Sequence, residues 1–523
     1  MRLLLPVACL LVSLPAFSAS RVLEGEAPEE GGDYFHLDFE VPAGTREIEI
    51  RHESLSSANV LDWGLRDPQR FRGWGGGNPE AIVIGESAAS RSYLPGPLPE
   101  GTWRIVVGKA LIRERPARYR VEIVLRDAPT LPPQGERTAY RHAEPLSRER
   151  RWYAGDFHVH SMESGDARPT LDAVAVFARE RGMDFVALSD HNTTAQLDFM
   201  PAVQARHPAL LLVPSVEFTT VRGHANAFGA TQYVDHRIGF EGRTLAQAVE
   251  EFRAQDALFT INHPTIDIGT GCIGCAWEWP VPRKGVAAVE IGIGGWDGTG
   301  ALFSESSIAW WDRLLDKGLH LAAVGGSDDH RAGVNLNQTQ TPIGSPTTMV
   351  LADELSVPAL VAAVRAGRTV VKLRGPDDPM VELDVAERDA LRVEGDTVVA
   401  EEARFTARVT GGKGNVLRFV QDGLVVATVP VDADPFEHSH LLTAPARGET
   451  RLRAEVVVAS RPRTVTSHLW LARTFPPEPA EEVLRTQPLP SSCAVAGAGS
   501  LAAAALVLLG MLRHRRGQPG VKP

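Results

Sequence analysis

Apolar and polar positions along the chain fall into three successive rhythms. From Arg21 to about Asp127 they alternate in short runs, YFHLDFEV, REIEIRHE, WRIVVGK and RYRVEIVL, with Gly and Pro between them. A period of two broken by turn residues marks half-buried strands, so residues 21–127 are predicted to form a small β-sandwich. Residues 128–150 are polar and Pro-containing and read as a linker. Between 151 and 376 the rhythm changes. Short continuous apolar runs (MDFVALSDHN, ALLLVPSVEFTT, ALFTINHP, GVAAVEIGIGG, LHLAAVGGSDDH, RTVVKL) alternate with helix-spaced segments (LDAVAVFARERG, LAQAVEEFRAQD, SIAWWDRLLDKG, SVPALVAAVRAG). That alternation predicts an α/β domain with a parallel sheet or barrel. From 377 to 474 the two-residue period returns in PMVELDV, ARFTARVT, NVLRFVQDG, VVATVPV, TRLRAEVVV and HLWLART, predicting a second, Ig-like β-sandwich. Residues 475–492 then read as a spacer.

Both ends of the chain change the picture. MRLLLPVACLLVSLPAFSAS has a basic start, an apolar core and small residues, so residues 1–20 are expected to be a signal peptide cleaved near Ser18 to Ser20. Residues 493–512, CAVAGAGSLAAAALVLLGML, carry no charge and are followed by a basic tail, 513–523, that begins Arg513-His514-Arg515-Arg516. A run of that length spans a bilayer with its basic flank in the cytoplasm. Cys493 at its edge resembles the C-terminal sorting tags of some bacteria. The body of the chain is therefore expected outside the cytoplasm, periplasmic or at the cell surface, anchored through this segment. Cys272 and Cys275 form a lone C-x-x-C in a Gly-rich stretch. No second pair completes a zinc ribbon, and a local disulfide is the expected state in an oxidising compartment. A net charge of −11 on 523 residues gives no overall pull toward nucleic acid.

The polar residues inside the α/β region recur in one place. His158 and His160 follow its first strand, two residues apart and so on one face. Asp190 and His191 end the second predicted strand, Glu217 the third, His263 another, and Asp328 and His330 a later one. In a parallel barrel the C-terminal strand ends converge on one face. Taken together these residues predict a common metal site, and imidazole with carboxylate suits Zn, Mn or Fe.

DFHVHS, LSDHN, VEFTTVRGHANAFG, INHP and GSDDH resemble, in that order, the motifs of the PHP (polymerase and histidinol phosphatase) superfamily. With sandwich domains on either side, the chain looks like the CehA/McbA-type subgroup. The resemblance covers about Tyr153 to Lys372. It implies a distorted (β/α)7 barrel holding two or three divalent metal ions. One ion would take His158, His160, Glu217 and Asp328. A second would share Glu217 and take His224 and His263, and a third would take Asp166, His191 and His330. This chain reads SGDA where the family usually shows an SDG-like order, which leaves Glu163 as the alternative to Asp166. Asp156 and Asp190 are expected to orient imidazoles.

The implied chemistry is hydrolysis by a metal-bridging hydroxide. Glu217, Asp328 and His330 are the catalytic candidates, with Asp328 or His330 passing a proton to the leaving group. Arg168, Arg222 and Arg331 are candidates for gripping substrate phosphate. Trp277, Trp279 and Trp296 either wall the substrate or simply pack the mouth loops, and Trp296 is the candidate for substrate contact. The leading expectation is a phosphoesterase for small phosphate esters. The alternatives are a carboxyl or carbamate ester hydrolase of CehA/McbA type, and an envelope-binding protein with an idle metal site. In the last case the β domains would hold a polysaccharide or envelope partner.

Overall fold

The computed structural model describes residues 18–293, 299–334, 336, 341–387, 390–475 and 483–484. The predicted signal up to residue 17, Trp296, and the predicted membrane segment and basic tail lie outside the described residues. Among the described residues no helix is long and apolar enough to cross a membrane.

The alternating N-terminal runs form two four-stranded antiparallel sheets. One is ordered Ser18–Glu26, Arg118–Arg126, Glu47–Ser54, Ile82–Gly85. The other is ordered Tyr34–Val41, Gly101–Leu111, Val60–Arg66, Phe71–Gly76. Inward-facing residues such as Phe39, Ile48, Ile50, Trp103 and Val121 close one core between them, as a period of two requires. The segment after the sandwich has no helix or strand, yet it is strapped down. Thr130 N–H donates to Glu47 (2.7 Å), Arg137 bonds Asp198 (3.2 Å) and Leu146 N–H reaches the Leu355 carbonyl (2.9 Å).

The middle of the chain supplies ten strands and five helices that matter for the site. The strands are β1 (Arg151–Val159), β2 (Phe185–Leu188), β3 (Leu211–Pro214), β4 (Glu217–Thr220), β5 (Gly223–Phe228), β6 (Leu258–Ile261), β7 (Val286–Gly292), β8 (Ala322–Gly325), β9 (Thr347–Ala352) and β10 (Thr369–Lys372). The helices are α1 (Leu171–Glu180), α2 (Met200–Arg206), α3 (Leu245–Ala254), α4 (Thr299–Leu315) and α5 (Val357–Arg365). Helix starts obey local chemistry. Thr170 and Ser356 cap α1 and α5, and Thr244 with Gln247 forms a capping box on α3.

Where a parallel sheet or distorted barrel was expected, the hydrogen bonds draw mixed sheets. There are two sheets, β3-β2-β1-β9-β10 and β4-β5-β6-β7-β8. β1, β2 and β3 run parallel, as do β6, β7 and β8, whereas β4–β5–β6 and β1–β9–β10 pair antiparallel. The run ALLLVPSVEFTT, expected as one strand, breaks at Ser215 and Val216. Its halves, β3 and β4, join different sheets. The two sheets are stitched by single parallel bridges, Val159 to Asp329 and His191 to Glu217.

The first sheet does not stop at residue 376, where a domain boundary was expected. β10 pairs with Arg461–Thr466, and the ladder continues through Glu449–Val458 and Val416–Gln421 to Leu424–Pro430. A further sheet, Leu391–Val393, Met380–Ala386, Glu402–Thr410 and Phe436–Thr443, covers this extension. The two share a core that includes Val381, Phe405, Phe419, Leu452 and Leu471.

The N-terminal sandwich docks on the middle of the chain through aromatic contacts. Phe71 stacks on Tyr233 with ring centres 4.0 Å apart, and Trp74 meets His236 edge-on at 4.5 Å. Phe71→Ala is expected to cost about 3 kcal/mol, the scale of a buried Phe truncation. Thermal unfolding of the whole chain should show this as an early transition that separates the sandwich from the rest.

Candidate metal centre

Glu217 opens β4 with its side chain fully buried, where an unpaired carboxylate is costly. Five imidazoles surround it. Its Oε1 lies 3.3 Å from His158 Nε2, 3.4 Å from His224 Nδ1 and 3.4 Å from His263 Nε2. Its Oε2 lies 2.8 Å from His191 Nδ1 and 3.5 Å from His160 Nε2. Asn262 Nδ2 donates to Oε1 (2.9 Å). Asp328 Oδ1 completes the inner face, 2.9 Å from His160 Nε2 and 3.3 Å from His158 Nε2. At the outer face Asp166 Oδ2 sits 3.3 Å from both His191 Nε2 and His330 Nε2.

The stitched sheets explain this convergence. His158 and His160 lie at the end of β1, and the bridge from Val159 to Asp329 holds the segment carrying Asp328 and His330 against them. The bridge from His191 to Glu217 does the same for the ends of β2 and β4. β5 runs antiparallel to β4 and brings His224 opposite Thr219. Two of these residues adopt left-handed backbone, His263 at φ 28° and Asp328 at φ 55°, a conformation that non-glycine residues hold only when their surroundings enforce it. Close packing is part of the enforcement. A Cβ on Gly326 would stand 2.3 Å from the Cβ of His158.

The donor set fits divalent cations. His158 Nδ1 lies 3.2 Å from Glu290 Oε1, and a proton shared there would leave Nε2 to face inward, as a lone pair once the ring loses its second proton to a bound cation. It faces His160 Nε2 across 3.1 Å. Glu217 Oε2 and His224 Nε2 are buried without a hydrogen-bond partner. His158, His160 and Glu217 present ligand atoms within 4.8 Å of one another, and so do His160, Asp166, His191 and His330. Charges respond accordingly. Burial opposes ionisation of Glu217, but His158 and His191 hold it well below its usual range. Burial would lower His158, yet Glu217 and Asp328 raise it well above an ordinary imidazole. Burial, then His330, pushes His160 down to about 3. Burial is outweighed at His330, which Asp166 and Asp328 lift to about 9. Protons and divalent ions thus compete for the same ring nitrogens.

Several sequence-derived roles change. Asp156 touches no imidazole. It accepts from the backbone N–H groups of His158 (3.0 Å), Ser327 (3.0 Å) and Gly344 (2.7 Å), pinning three segments. Asp190 accepts from Ser161 N (2.7 Å) and Oγ (2.6 Å) and so fixes the turn after β1. Burial raises Asp156 to about 6 and Asp190 to about 7. Glu163, the alternative to Asp166, points away and accepts from Ser92 N–H (2.8 Å). Arg168 and Arg331 line the cavity over the cluster, but Arg222 does not. It lies across Trp279 and 4.0 Å from Asp33 of the sandwich. Trp277 is buried against Phe259, and Trp279 donates to Thr220 Oγ1 (2.9 Å), so both pack the loops instead of forming a substrate wall.

Sequence reading missed Glu290, near the end of β7. One oxygen meets His158 Nδ1 and the other accepts the His263 backbone N–H (2.9 Å). It also missed Ser164, whose Oγ lies 3.0 Å from His160 Nδ1. The only signal for Glu290 was an acid inside the otherwise apolar run VAAVEIGIG.

No family model matches the chain, and no curated protein matches it. Solved structures do. A two-domain protein from Bacteroides vulgatus, described as containing a predicted PHP-like metal-dependent phosphoesterase, aligns with 64% of this chain and 100% of its own. The identity is 19% and the TM-score 0.33. An amidohydrolase from Chromobacterium violaceum aligns over 36% of this chain and 91% of its own, at 16% identity and TM-score 0.24. Likenesses of this size carry no weight of their own, and the functional reading rests on the cluster.

Glu290→Ala should lower metal affinity by roughly 10- to 100-fold, the usual effect of removing a carboxylate that orients a ligating imidazole. A chelator-competition titration checks it. Unchanged affinity would leave Glu290 a packing residue.

Proposed function

We propose that this chain is a metal-dependent hydrolase of PHP type that acts on small phosphate esters. The observation that carries the reading is the buried Glu217 carboxylate, both of whose oxygens face a ring of five imidazoles. His158, His160, Glu217 and Asp328 would hold one ion, Glu217, His224 and His263 a second, and Asp166, His191 and His330 a third. Bound divalent ions there would lower the pKa of water and offset charge on the ester oxygens.

The chain's own residues supply the rest. Glu290 and Ser164 fix the ring orientations of His158 and His160. Arg168 and Arg331 on the cavity wall favour an anionic substrate over a neutral one. Asp328, 29% exposed, and His330, 20% exposed, line the cavity together with the more exposed Asp166 and with His191, and this position suits Asp328 or His330 to hand a proton to a leaving oxygen. A site of action outside the cytoplasm, with attachment to a membrane, belongs to the same proposal. It rests on the two apolar end segments and on the lone Cys272-x-x-Cys275 pair read as a local disulfide.

The test pairs metal content with turnover of p-nitrophenyl phosphate, bis-p-nitrophenyl phosphate and p-nitrophenyl acetate. Two to three ions per chain are expected, with phosphate-ester turnover that disappears together with metal in His158→Ala and Glu217→Ala. Acetate turnover alone would move the assignment to carboxyl esters. Absence of both metal and turnover in metal-supplemented protein would make the chain a binding protein.

A further inference from the structure

The cavity over the cluster, about 710 Å³, is walled by two parts of the chain. One wall is apolar. Ile266, Ile268 and Ile273 sit on the loop after β6, which the Cys272–Cys275 disulfide closes, and the Cys275 carbonyl lies 3.2 Å from His263 Nδ1. The opposite wall does not come from the metal-bearing sheets at all. It is the edge of the N-terminal sandwich, with Asp62 on the strand Val60–Arg66 and the turn Gly75–Glu80.

This second wall is fixed in place. Ser92 holds left-handed backbone at φ 73° because both its peptide groups are engaged across the junction. Its N–H donates to Glu163, and its carbonyl accepts from Thr193 Oγ1 (2.8 Å). Gly165, next to the ligand-bearing turn, comes so near that a Cβ there would meet the Gly75 carbonyl at 2.8 Å. Arg91 grips both oxygens of Glu80 (2.7 and 3.0 Å) and donates to the Ala167 carbonyl (3.0 Å).

Within this wall Glu80 is therefore committed to Arg91, and Asp62 is committed to nothing. Among the described residues its half-buried carboxyl has no hydrogen-bond or ion-pair partner. It lies near enough to His191 and Asp166 for their charges to act on it, and burial raises it to about 7. In its ionised form a carboxylate so placed repels a bare phosphate or a second anionic arm and accepts from a group with hydrogens to give.

We infer that Asp62 is a specificity residue supplied by the N-terminal sandwich. Its carboxyl receives hydrogen bonds from a hydroxyl- or ammonium-bearing arm of the ester held over the metal centre. The substrates are then phosphate esters of polyols or amino alcohols, and plain alkyl esters are poor ones. This inference rests on the phosphoesterase reading above.

The experiment uses the full, metal-loaded chain and two matched pairs, phosphoethanolamine with ethyl phosphate and glycerol 1-phosphate with propyl phosphate. Phosphate release is followed for each. The wild-type chain should favour the donor-bearing member of at least one pair by roughly tenfold or more in kcat/KM, carried mainly by KM. The pair that shows the preference identifies ammonium or hydroxyl. In Asp62→Ala the ratio should fall toward one. Asp62→Asn, which keeps an acceptor oxygen, should restore part of a hydroxyl preference but none of an ammonium preference. The thermal transition of each variant checks its fold. Turnover of all four esters without preference, or a preference that Asp62→Ala leaves intact, overturns the inference alone. No turnover of any phosphate ester overturns the phosphoesterase reading and the inference with it.

Discussion

The constraint on which the rest depends is the burial of Glu217. A carboxylate with no exposed surface must be met by positive charge or by donors on every lone pair. Asn262 supplies one donor, and imidazoles supply the remaining surroundings. Those rings need orienting in turn, which explains why Glu290, Ser164 and the Cys275 carbonyl are buried behind them. The bridges between the sheets follow from the same demand. They fall at Val159–Asp329 and His191–Glu217, among the residues of the cluster, and hydrogen bonds such as Thr348 Oγ1 to the Gly325 carbonyl join the two sheets elsewhere.

The N-terminal sandwich is tied to this centre more closely than an appended domain needs to be. Aromatic stacking at Phe71 and Trp74 anchors one side, and the engaged peptide groups of Ser92 anchor the other. Inter-domain interfaces within a chain are normally free to shift. Here the left-handed Ser92 and the near contact of Gly165 with Gly75 leave little room to slide. The cavity accordingly has two owners, and neither region alone forms it.

Much of the site was legible because it sits where strands end. Apolar runs that stop at His158, His191, His263 and Asp328 announce strand C-termini, and polar residues repeated there are conspicuous. What stayed hidden has common physical causes. Glu290 lies inside its strand run, where a single acid reads as a tolerated exception. β5, GHANAF, is buried at every position and shows no alternation to betray it. The corner at Ser215 and Val216 carries no Gly or Pro signal of its own. Asp156 and Asp190, expected to orient imidazoles, accept from backbone N–H groups and, for Asp190, the Ser161 hydroxyl, partners that no local pattern announces. Asp62 was invisible, since nothing local in VLDWGLR shows that it will face a cluster formed by residues far along the chain.

The ladder that joins β10 to Arg461–Thr466 also governs how the protein is made. Whether the chain emerges from a ribosome or across a membrane it arrives N-terminus first, so β1 to β10 are present before the partner strand. During that interval the outer edge of β10, a row of unpaired peptide groups, offers itself to any other strand. The half of the molecule that carries the histidine cluster is thus not finished when its own residues are finished. Its assembly waits on the last sandwich, and a nascent chain is most in need of chaperoning between Lys372 and Thr466.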